Sequence, residues 1–519
     1  MKPNTLRTSA LVLATALAGV ALSGCDKFLD RMPDNRAEIN TNDKVAQLLV
    51  SAYPTVEPMY IYHYRTDDVM DNGREYGNPD LTITQSYNWE KVTDTEWDGP
   101  EAVWRSCYAA IAASNQAIEE MNKIGRTGEN DPMMGEALIT RAYSHFILAN
   151  TFSKAYDPAT ASTDLGIPYV EEVEKTIGVL IPRGTLQETY DKIARDIEEG
   201  FPLIDDKIYL VPKYHFNRKA AAAFAAKFYL FKGEWQKCLD YAAIAIDKNP
   251  SSTLRNHDAI TSLSGASEWR DQYINKDEPA NLMLVSLRSL YGRNYRSQRI
   301  STSLSKMNSE LYRSPGPWGV RLKKYELLWG SSGMPTKYIP KYNEQFEITN
   351  KTAQTGQPHV TSFPFTVDET LLVRAEAEVW LKQYDDAARD LSYYFVNKGG
   401  QAATAEEIVN WYTQKRAEEE ELLSSEKNPL SPWFRLVKKL DSPFGIENDT
   451  QEAMLQCVLH TRRIETLYSG MRWLDIRRYN IEVVHNHDGA EPSVLKKGDP
   501  RYTIQIPDAV ISAGVEPNP

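Results

Sequence analysis

The sequence is poor in cysteine. Only Cys25, Cys107, Cys238 and Cys457 occur in 519 residues. No CxxC pair is present, so neither a disulfide framework nor a cysteine zinc site is predicted. The last three cysteines lie in segments with helical periodicity. We expect them to be small buried hydrophobic residues, and their spacing does not define any pairing.

Positive charge is also in short supply. The chain has 59 lysines and arginines against 71 aspartates and glutamates, with a formal net charge of -12. A protein this acidic is a poor general binder of nucleic acid or of anionic bilayers. We therefore expect no nucleic-acid partner.

Motifs for catalysis and metal binding are missing as well. No HExxH occurs, and residues 330–333 form neither a phosphate loop nor a nucleophile elbow. Ser303 and Lys306 form S-x-x-K without the partner motifs of β-lactamases. Residues 94–99 resemble the start of a calcium loop, but Arg105 stands where a bidentate glutamate is needed. We expect no catalytic centre, metal or cofactor. A surface glycosidase stays an alternative, because its two acids meet only in space.

Long apolar runs are absent except near the N-terminus. There, Lys2 and Arg7 precede an apolar stretch over residues 10–22, which ends in Leu-Ser-Gly followed by Cys25. The stretch is shorter than the about 20 residues of a membrane span, so we interpret residues 1–24 as a cleaved signal peptide. The tetrad resembles the lipobox of bacterial lipoproteins. This resemblance implies that Cys25 becomes the lipid-modified mature N-terminus and anchors the protein to a membrane.

Helical periodicity dominates the rest of the chain. An apolar stripe follows Glu101, and Thr185 with Glu188 forms a capping box. The other predicted helices cover residues 42–53, 134–156, 185–203, 218–232 and 234–248.

Two helical hairpins match the tetratricopeptide pattern. Counting back from Pro250 puts small or aromatic residues where that repeat needs them, including Ala226 and Tyr229. A second copy is predicted from Leu371, with Ala375 matching Ala226. Further matched pairs are Tyr384 with Trp235 and Ala387 with Cys238. The alternative is two unrelated helical hairpins.

Two aromatic-rich, weakly periodic regions, residues 55–100 and 285–330, are the predicted ligand site. Flat rings contact the C–H faces of sugars, and polar side chains bind the hydroxyl groups. The predicted ligand-binding residues are Trp89, Tyr291, Tyr295, Trp318, Asp67, Asp68 and Arg74. The alternative for each aromatic residue is that it packs a loop. Arg293 and Arg296, with Arg288 and Arg299, also suggest an anionic ligand, such as an acidic sugar or a peptide carboxylate. The alternatives are scattered solvated arginines and contacts to a partner protein.

A charged segment near the C-terminus carries the clearest motif. Its arginines and acids are spaced for a helix, and we expect a mainly structural ladder joining Arg462 to Glu465, Arg472 to Asp475 and Asp475 to Arg478. The segment resembles the C-terminal signature of the SusD/RagB family. The matching residues are Arg462, Arg463, Glu465, Gly470, Arg472, Asp475, Arg477 and Arg478; Thr461 and Ser469 replace two glutamates of the pattern. Weaker matches are residues 25–30, 104–115, 141–146, 181–183, 219–222 and 506–508.

This resemblance implies an all-α protein with tetratricopeptide-like helical pairs in an α-solenoid scaffold and long irregular loops. It implies a lipid-anchored outer-membrane protein, facing the cell exterior, that binds oligosaccharides and delivers them to a SusC-like TonB-dependent transporter. A peptide ligand and a scaffold that binds only proteins are the alternatives. After the signal peptide we expect one SusD-like unit over residues 25–519. Its predicted parts are residues 25–250, a loop-rich part over 251–365, and 366–519 with the signature.

Overall fold

The computed structural model describes residues 39–176, 179–322 and 328–519. The predicted signal peptide over residues 1–24 and the predicted lipid attachment at Cys25 lie outside these residues. The α-helices of the described residues are α1 Asn42–Leu49, α2 Met59–Arg65, α3 Leu81–Tyr87, α4 Pro100–Ile124, α5 Asp131–Phe152, α6 Leu186–Gly200, α7 Arg218–Lys232, α8 Trp235–Ala245, α9 His257–Thr261, α10 Ala266–Tyr273, α11 Tyr291–Asn294, α12 Leu304–Ser309, α13 Val367–Trp380, α14 Tyr384–Asn397, α15 Ala405–Leu423, α16 Asp449–Glu465, α17 Met471–Arg478 and α18 Asp508–Ser512.

Three small antiparallel sheets accompany the helices. β1 Met70–Asp71 pairs with β3 Ile300–Ser301, with Met70 opposite Ser301. The other strands are β2 Asn281–Leu287, β4 Gln345–Asn350, β5 Thr355–Thr366, β6 Val483–His487 and β7 Ala490–Leu495. They form a sheet of order β2-β5-β4 and a β6-β7 hairpin. The helical scaffold was expected, but the strict all-α prediction missed these sheets.

Helices α4, α5 and α6 form the N-terminal bundle, in which α5 packs between the other two. The apolar stripe predicted after Glu101 lies on α4, where Val103, Cys107 and Ile111 are buried. Helix α6 begins with the predicted capping box: Thr185 Oγ1 accepts a hydrogen bond from Glu188 N, and Glu188 accepts one from Thr185 N. The periodicity therefore identified these helices, although the one predicted over 134–156 spans Asp131–Phe152 and the one predicted over 185–203 spans Leu186–Gly200.

The two repeat-like hairpins are present and adjacent. Helices α7 and α8 form the first, α13 and α14 form the second, and α8 packs against α13. Ala226 and Ala375, which the repeat alignment matched, are both completely buried. Gly233 separates α7 from α8 in the left-handed conformation with φ of 83°, and an added Cβ would lie 2.2 Å from the Phe444 ring. The small residues allow the helices to approach closely.

One large hydrophobic cluster contains buried residues from all three predicted parts of the chain. A smaller cluster lies between α1 and the ends of α4 and α5. Cys107, Cys238 and Cys457 are buried, as expected, and all three are free thiols. Within the described ranges, no helix combines the length and apolar character needed to cross a membrane.

The acidic run over residues 418–421 of α15 is exposed except at Glu419. Glu419 turns inward from α15 and is buried. Its carboxylate accepts hydrogen bonds from Leu436 N at 3.2 Å and Val437 N at 2.9 Å. The charge is stabilised by backbone N–H groups, which composition alone does not reveal.

Candidate functional site

The two aromatic-rich regions meet in the folded protein. The β1–β3 pair joins them, and Asn72 Nδ2 donates to the carbonyl oxygens of Gln298 and Arg299, both at 3.0 Å. The Tyr64 hydroxyl donates to Asn294 O at 2.8 Å. We call the surface formed by residues 71–77, 94–98 and 288–299 the loop seam.

The aromatic residues predicted as ligand contacts lie inside the protein. Trp89, Tyr291, Tyr295 and Trp318 are at most 3% exposed. Trp89 stacks on the His485 ring with centroids 4.3 Å apart, and its indole nitrogen donates to Arg65 O. A side chain buried to this extent presents almost no surface to a sugar.

The other three rings have internal partners too. The Tyr291 hydroxyl donates to Tyr468 O at 2.7 Å, and the Tyr295 hydroxyl donates to Asn343 Oδ1 at 2.7 Å. Trp318 packs against Phe395 and His460. These rings therefore pack in the protein interior. This is the packing role that the sequence analysis gave as the alternative for each aromatic residue.

Asp67 and Asp68 belong to a buried ion-pair network. Both oxygens of Asp67 accept hydrogen bonds from Arg472 at 2.9 Å, and Lys438 Nζ donates to Asp67 at 2.7 Å. Arg463 Nε donates to Asp68 at 2.6 Å. Burial opposes ionisation of Asp67, but the neighbouring cations outweigh it and hold its pKa well below the usual value. Burial raises the pKa of Asp68, and the charge of Asp67 adds to that rise.

The signature ladder is structural, but two of its predicted pairs are wrong. Arg462 binds both oxygens of Asp475 at 2.8 and 2.9 Å instead of Glu465, and Arg472 binds Asp67 instead of Asp475. The predicted pair of Asp475 with Arg478 is present at 3.0 Å. Glu376 of α13 accepts hydrogen bonds from Arg462 and Arg478. Apart from the Asp475–Arg478 pair within α17, these ion pairs connect separate elements of the chain.

The predicted arginines lie at or near the loop seam, with different partners. Arg74 is exposed beside Asp488, with Nε 3.7 Å from its carboxylate. Arg293 forms an ion pair with Glu344. A further pair joins Arg299 to Asp71. Arg296 is exposed, and the described structure gives its side chain no ion pair.

Trp97 is the seam residue that sequence reasoning did not select. It is half-buried, and the Arg288 guanidinium lies 4.0 Å from its ring centroid. The Asp94 carboxylate accepts hydrogen bonds from the backbone N–H groups of Glu96, Trp97 and Asp98. This tight turn fixes the backbone that carries the ring. The sequence signal for this turn was the spacing of Asp94 and Asp98, which resembled the start of a calcium loop.

Asp98 joins this turn to the second aromatic-rich region, residues 285–330, through hydrogen bonds. It is buried, and its carboxylate accepts hydrogen bonds from Ser289 Oγ at 2.5 Å and Leu290 N at 2.9 Å. Burial raises the pKa of Asp98 to about 7. The Trp97 ring therefore stands on a rigid support that both aromatic-rich regions contribute.

Two clefts follow the C-terminal segment. The first, of about 410 Å³, lies between residues 89–101 and residues 500–508. The second, of about 780 Å³, lies between residues 154–165 and the end of α17. Residues Pro500, Thr503, Asn518 and Pro519 line both. A smaller cavity of about 110 Å³ lies among α5, α7 and β5. Among the described residues, no group of three or more histidine, cysteine or acidic side chains is placed to hold a metal ion.

Comparison with known proteins gives a consistent result. A family model described as "Starch-binding associating with outer membrane" matches residues 27–230, and the SusD family model matches residues 336–504. SusD-like protein P38 of Formosa agariphila is 20% identical over 495 residues, covering 88% of this chain and 89% of that protein. SusD-like protein P2 of the same organism is 22% identical over 452 residues, covering 80% and 79%.

Solved structures share the fold. A putative sugar-binding protein from Bacteroides vulgatus has a TM-score of 0.63 at 19% identity, covering 93% of this chain and 99% of that chain. A SusD superfamily protein from Bacteroides thetaiotaomicron has a TM-score of 0.58 at 16% identity, covering 92% and 99%. At these identities the similarity concerns the fold alone. The two family matches together cover most of the chain, and they show that the protein belongs to the SusD/RagB family.

Proposed function

We propose that this protein is a surface lipoprotein that binds nutrient oligosaccharides at the loop seam and passes them to a SusC-like TonB-dependent transporter. The observation that carries the proposal is the Trp97 ring, which the turn at Asp94 supports at the junction of the two aromatic-rich regions. We call this ring and its supporting turn the Trp97 platform. The family description, starch binding with association with the outer membrane, supports a glycan as ligand. Lipid attachment at Cys25 and delivery to the transporter rest on the family resemblance.

The platform suits a sugar ring physically. In this proposal the accessible part of the half-buried Trp97 ring contacts C–H groups, and the Arg288 guanidinium, which lies over the ring 4.0 Å from its centroid, donates hydrogen bonds to hydroxyl groups. Because the turn at Asp94 already fixes the backbone that carries the ring, little conformational entropy is lost on binding. One such contact contributes about 1 kcal/mol, so affinity is modest and grows with the number of sugar residues.

Acidic glycans fit the same surface. Arg293 and Arg299 are neutralised by Glu344 and Asp71, so they offer little to an anionic ligand. Arg288 and Arg296 have no ion pair in the part of the chain that the structure describes. These two arginines would contact a uronic acid or sulfate group on the bound glycan.

The test is a glycan array followed by calorimetry with the best oligosaccharide. Trp97→Ala is expected to weaken binding about fivefold, the equivalent of about 1 kcal/mol. Trp411→Ala removes a half-buried tryptophan of α15 and should leave affinity unchanged. Binding of peptides but no glycans, or release of shortened sugars during incubation, would contradict the proposal. Equal losses in both variants would place the ligand away from the seam.

A further inference from the structure

A cavity of about 110 Å³ lies where α2, α5, α7, α13 and α17 meet strand β5. Most of its walls are apolar or aromatic, and residues of this kind in the lining include Met59, Tyr62, Phe146, Ile147, Phe363 and Leu474. The residues of the loop seam, all of them described, do not line it. An engineered apolar cavity of about 150 Å³ holds benzene, so this one has room for a ligand of about four or five non-hydrogen atoms.

Part of the cavity wall lies at the protein surface. Thr466 and Ser469, in the turn between α16 and α17, line the cavity and are half-buried. Met471 at the start of α17 and Glu57 just before α2 also line it, and both are half-buried. A small molecule can therefore enter from this side while the helices stay packed.

Three carboxylates line the cavity, and two of them have a cation beside them. Glu369 is 2.8 Å from Lys227 Nζ. Glu465 is 3.8 Å from Lys398 Nζ, and its carboxylate also accepts a hydrogen bond from the Tyr394 hydroxyl at 2.9 Å. These two charges are therefore compensated within the protein.

Glu57 is the third carboxylate, and the described residues give it no ion pair. Its Oε1 accepts a hydrogen bond from the Tyr143 hydroxyl at 2.7 Å. Burial raises the pKa of Glu57, and the Tyr143 hydrogen bond and the charge of Lys227 only partly oppose this rise. Lys227 is the basic side chain in the lining, and its own close partner is Glu369. The cavity therefore has one more carboxylate than it has partner cations.

Tyr342 adds a second polar group without a partner. It lines the cavity and is 3% exposed, yet its hydroxyl makes no hydrogen bond with the described residues. Burial raises the pKa of Tyr342, and the charges of Glu369 and Glu57 add to that rise, so the hydroxyl lies near both acids. Polar groups inside a protein normally have hydrogen-bond partners, which a ligand would supply here.

We propose that this cavity binds a small primary amine. Its ammonium group forms an ion pair with Glu57 and donates a hydrogen bond to the Tyr342 hydroxyl oxygen, while its short hydrocarbon part contacts the apolar wall. An ammonium group has three donors and no acceptor, which suits a carboxylate and a hydroxyl oxygen, and aromatic rings also attract a cation. An anion would be repelled by Glu57. The site does not depend on whether glycans bind at Trp97.

The experiment compares n-propylammonium with 1-propanol and propionate, which are similar in size and differ in the charge at one end. Saturation-transfer NMR on the ligand methyl signal measures each dissociation constant, with the full chain in detergent at constant ionic strength and empty micelles as the blank. We expect n-propylammonium to bind at least about tenfold more tightly than 1-propanol, because a charged hydrogen bond replaces a neutral one. Propionate should bind more weakly than both.

Two results would overturn the proposal. One is equal binding of n-propylammonium and 1-propanol, because the carboxylate would then contribute nothing. The other is no binding of n-propylammonium at all, because the cavity would then hold water only.

Variants locate the site. Glu57→Gln should abolish the preference for the ammonium ion. Glu101→Gln, which changes a half-buried glutamate outside the cavity lining, should preserve it. Met471→Trp fills the cavity from its half-buried side and should abolish binding even if Glu57→Gln does not fold. Undiminished binding to folded Met471→Trp would show that the amine sits elsewhere, contrary to the proposal.

Discussion

Replacing Asp67 with asparagine tests the central ion-pair network. Asp67 is fully buried, and Arg472, Lys438 and Arg463 all approach its carboxylate. Asparagine keeps the shape but removes the charge, so three cations remain with less compensation. Loss of one member of a buried ion pair costs about 3–5 kcal/mol, and the convergence of three cations favours the upper end.

Urea unfolding, followed by both tryptophan fluorescence and far-ultraviolet circular dichroism, measures this loss. The midpoint should fall while the slope stays constant, provided that the two transitions coincide. Asp488→Asn is the control. Its pair with Arg74 is exposed and should contribute less than about 1 kcal/mol.

The contribution of Asp67 also has a defined pH dependence. Because its pKa is lower in the folded protein than in the unfolded chain, the stabilisation is complete above about pH 4 and is lost as the pH falls. Equal urea midpoints for Asp67→Asn and the unchanged protein would refute the reasoning. A selective loss of glycan binding at unchanged stability would instead restore Asp67 as a ligand contact.

Three further predictions concern other parts of the chain. The pKa of Asp98 rises on folding to about 7, so the free energy of unfolding should fall as the pH rises from about 4 to 7. In urea midpoints measured across this pH range, Asp98→Asn should reduce that fall. Gly233→Ala should destabilise more than Gly445→Ala in thermal melts, because both need positive φ but only the first Cβ meets another residue, Phe444. Ala226→Leu should cost about 1–3 kcal/mol by overpacking the first repeat-like hairpin, whereas Ala417→Leu on the exposed face of α15 should be nearly neutral by the same measurement.

Sequence reasoning succeeded where a signal is local. The Thr185 capping box and the matched alanines Ala226 and Ala375 occupy their predicted positions. Each of these features depends on residue spacing within one or two helices, and that spacing can be recognised directly in the sequence.

Sequence reasoning was less successful where residues far away in the chain determine the environment of a side chain. Aromatic residues in weakly periodic segments were expected near ligand, yet Tyr291 and Tyr295 are completely buried. The partner of Arg472 is Asp67, which no helical spacing could indicate. Glu419 is buried because two backbone N–H groups of another segment reach it. The ligand site was expected in the two aromatic-rich regions, and the half-buried ring where they meet is Trp97.

The long sequence separation within the ion-pair network constrains how the chain is made. Asp68 binds Arg463, 395 positions later, and Asp67 binds Arg472, 405 positions later. Translation proceeds from the N-terminus, so these carboxylates have no counter-ions until nearly the whole polypeptide has been synthesised. A premature stop before residue 460 would leave them stranded in a half-built core, and such a product should be cleared by proteases rather than accumulate.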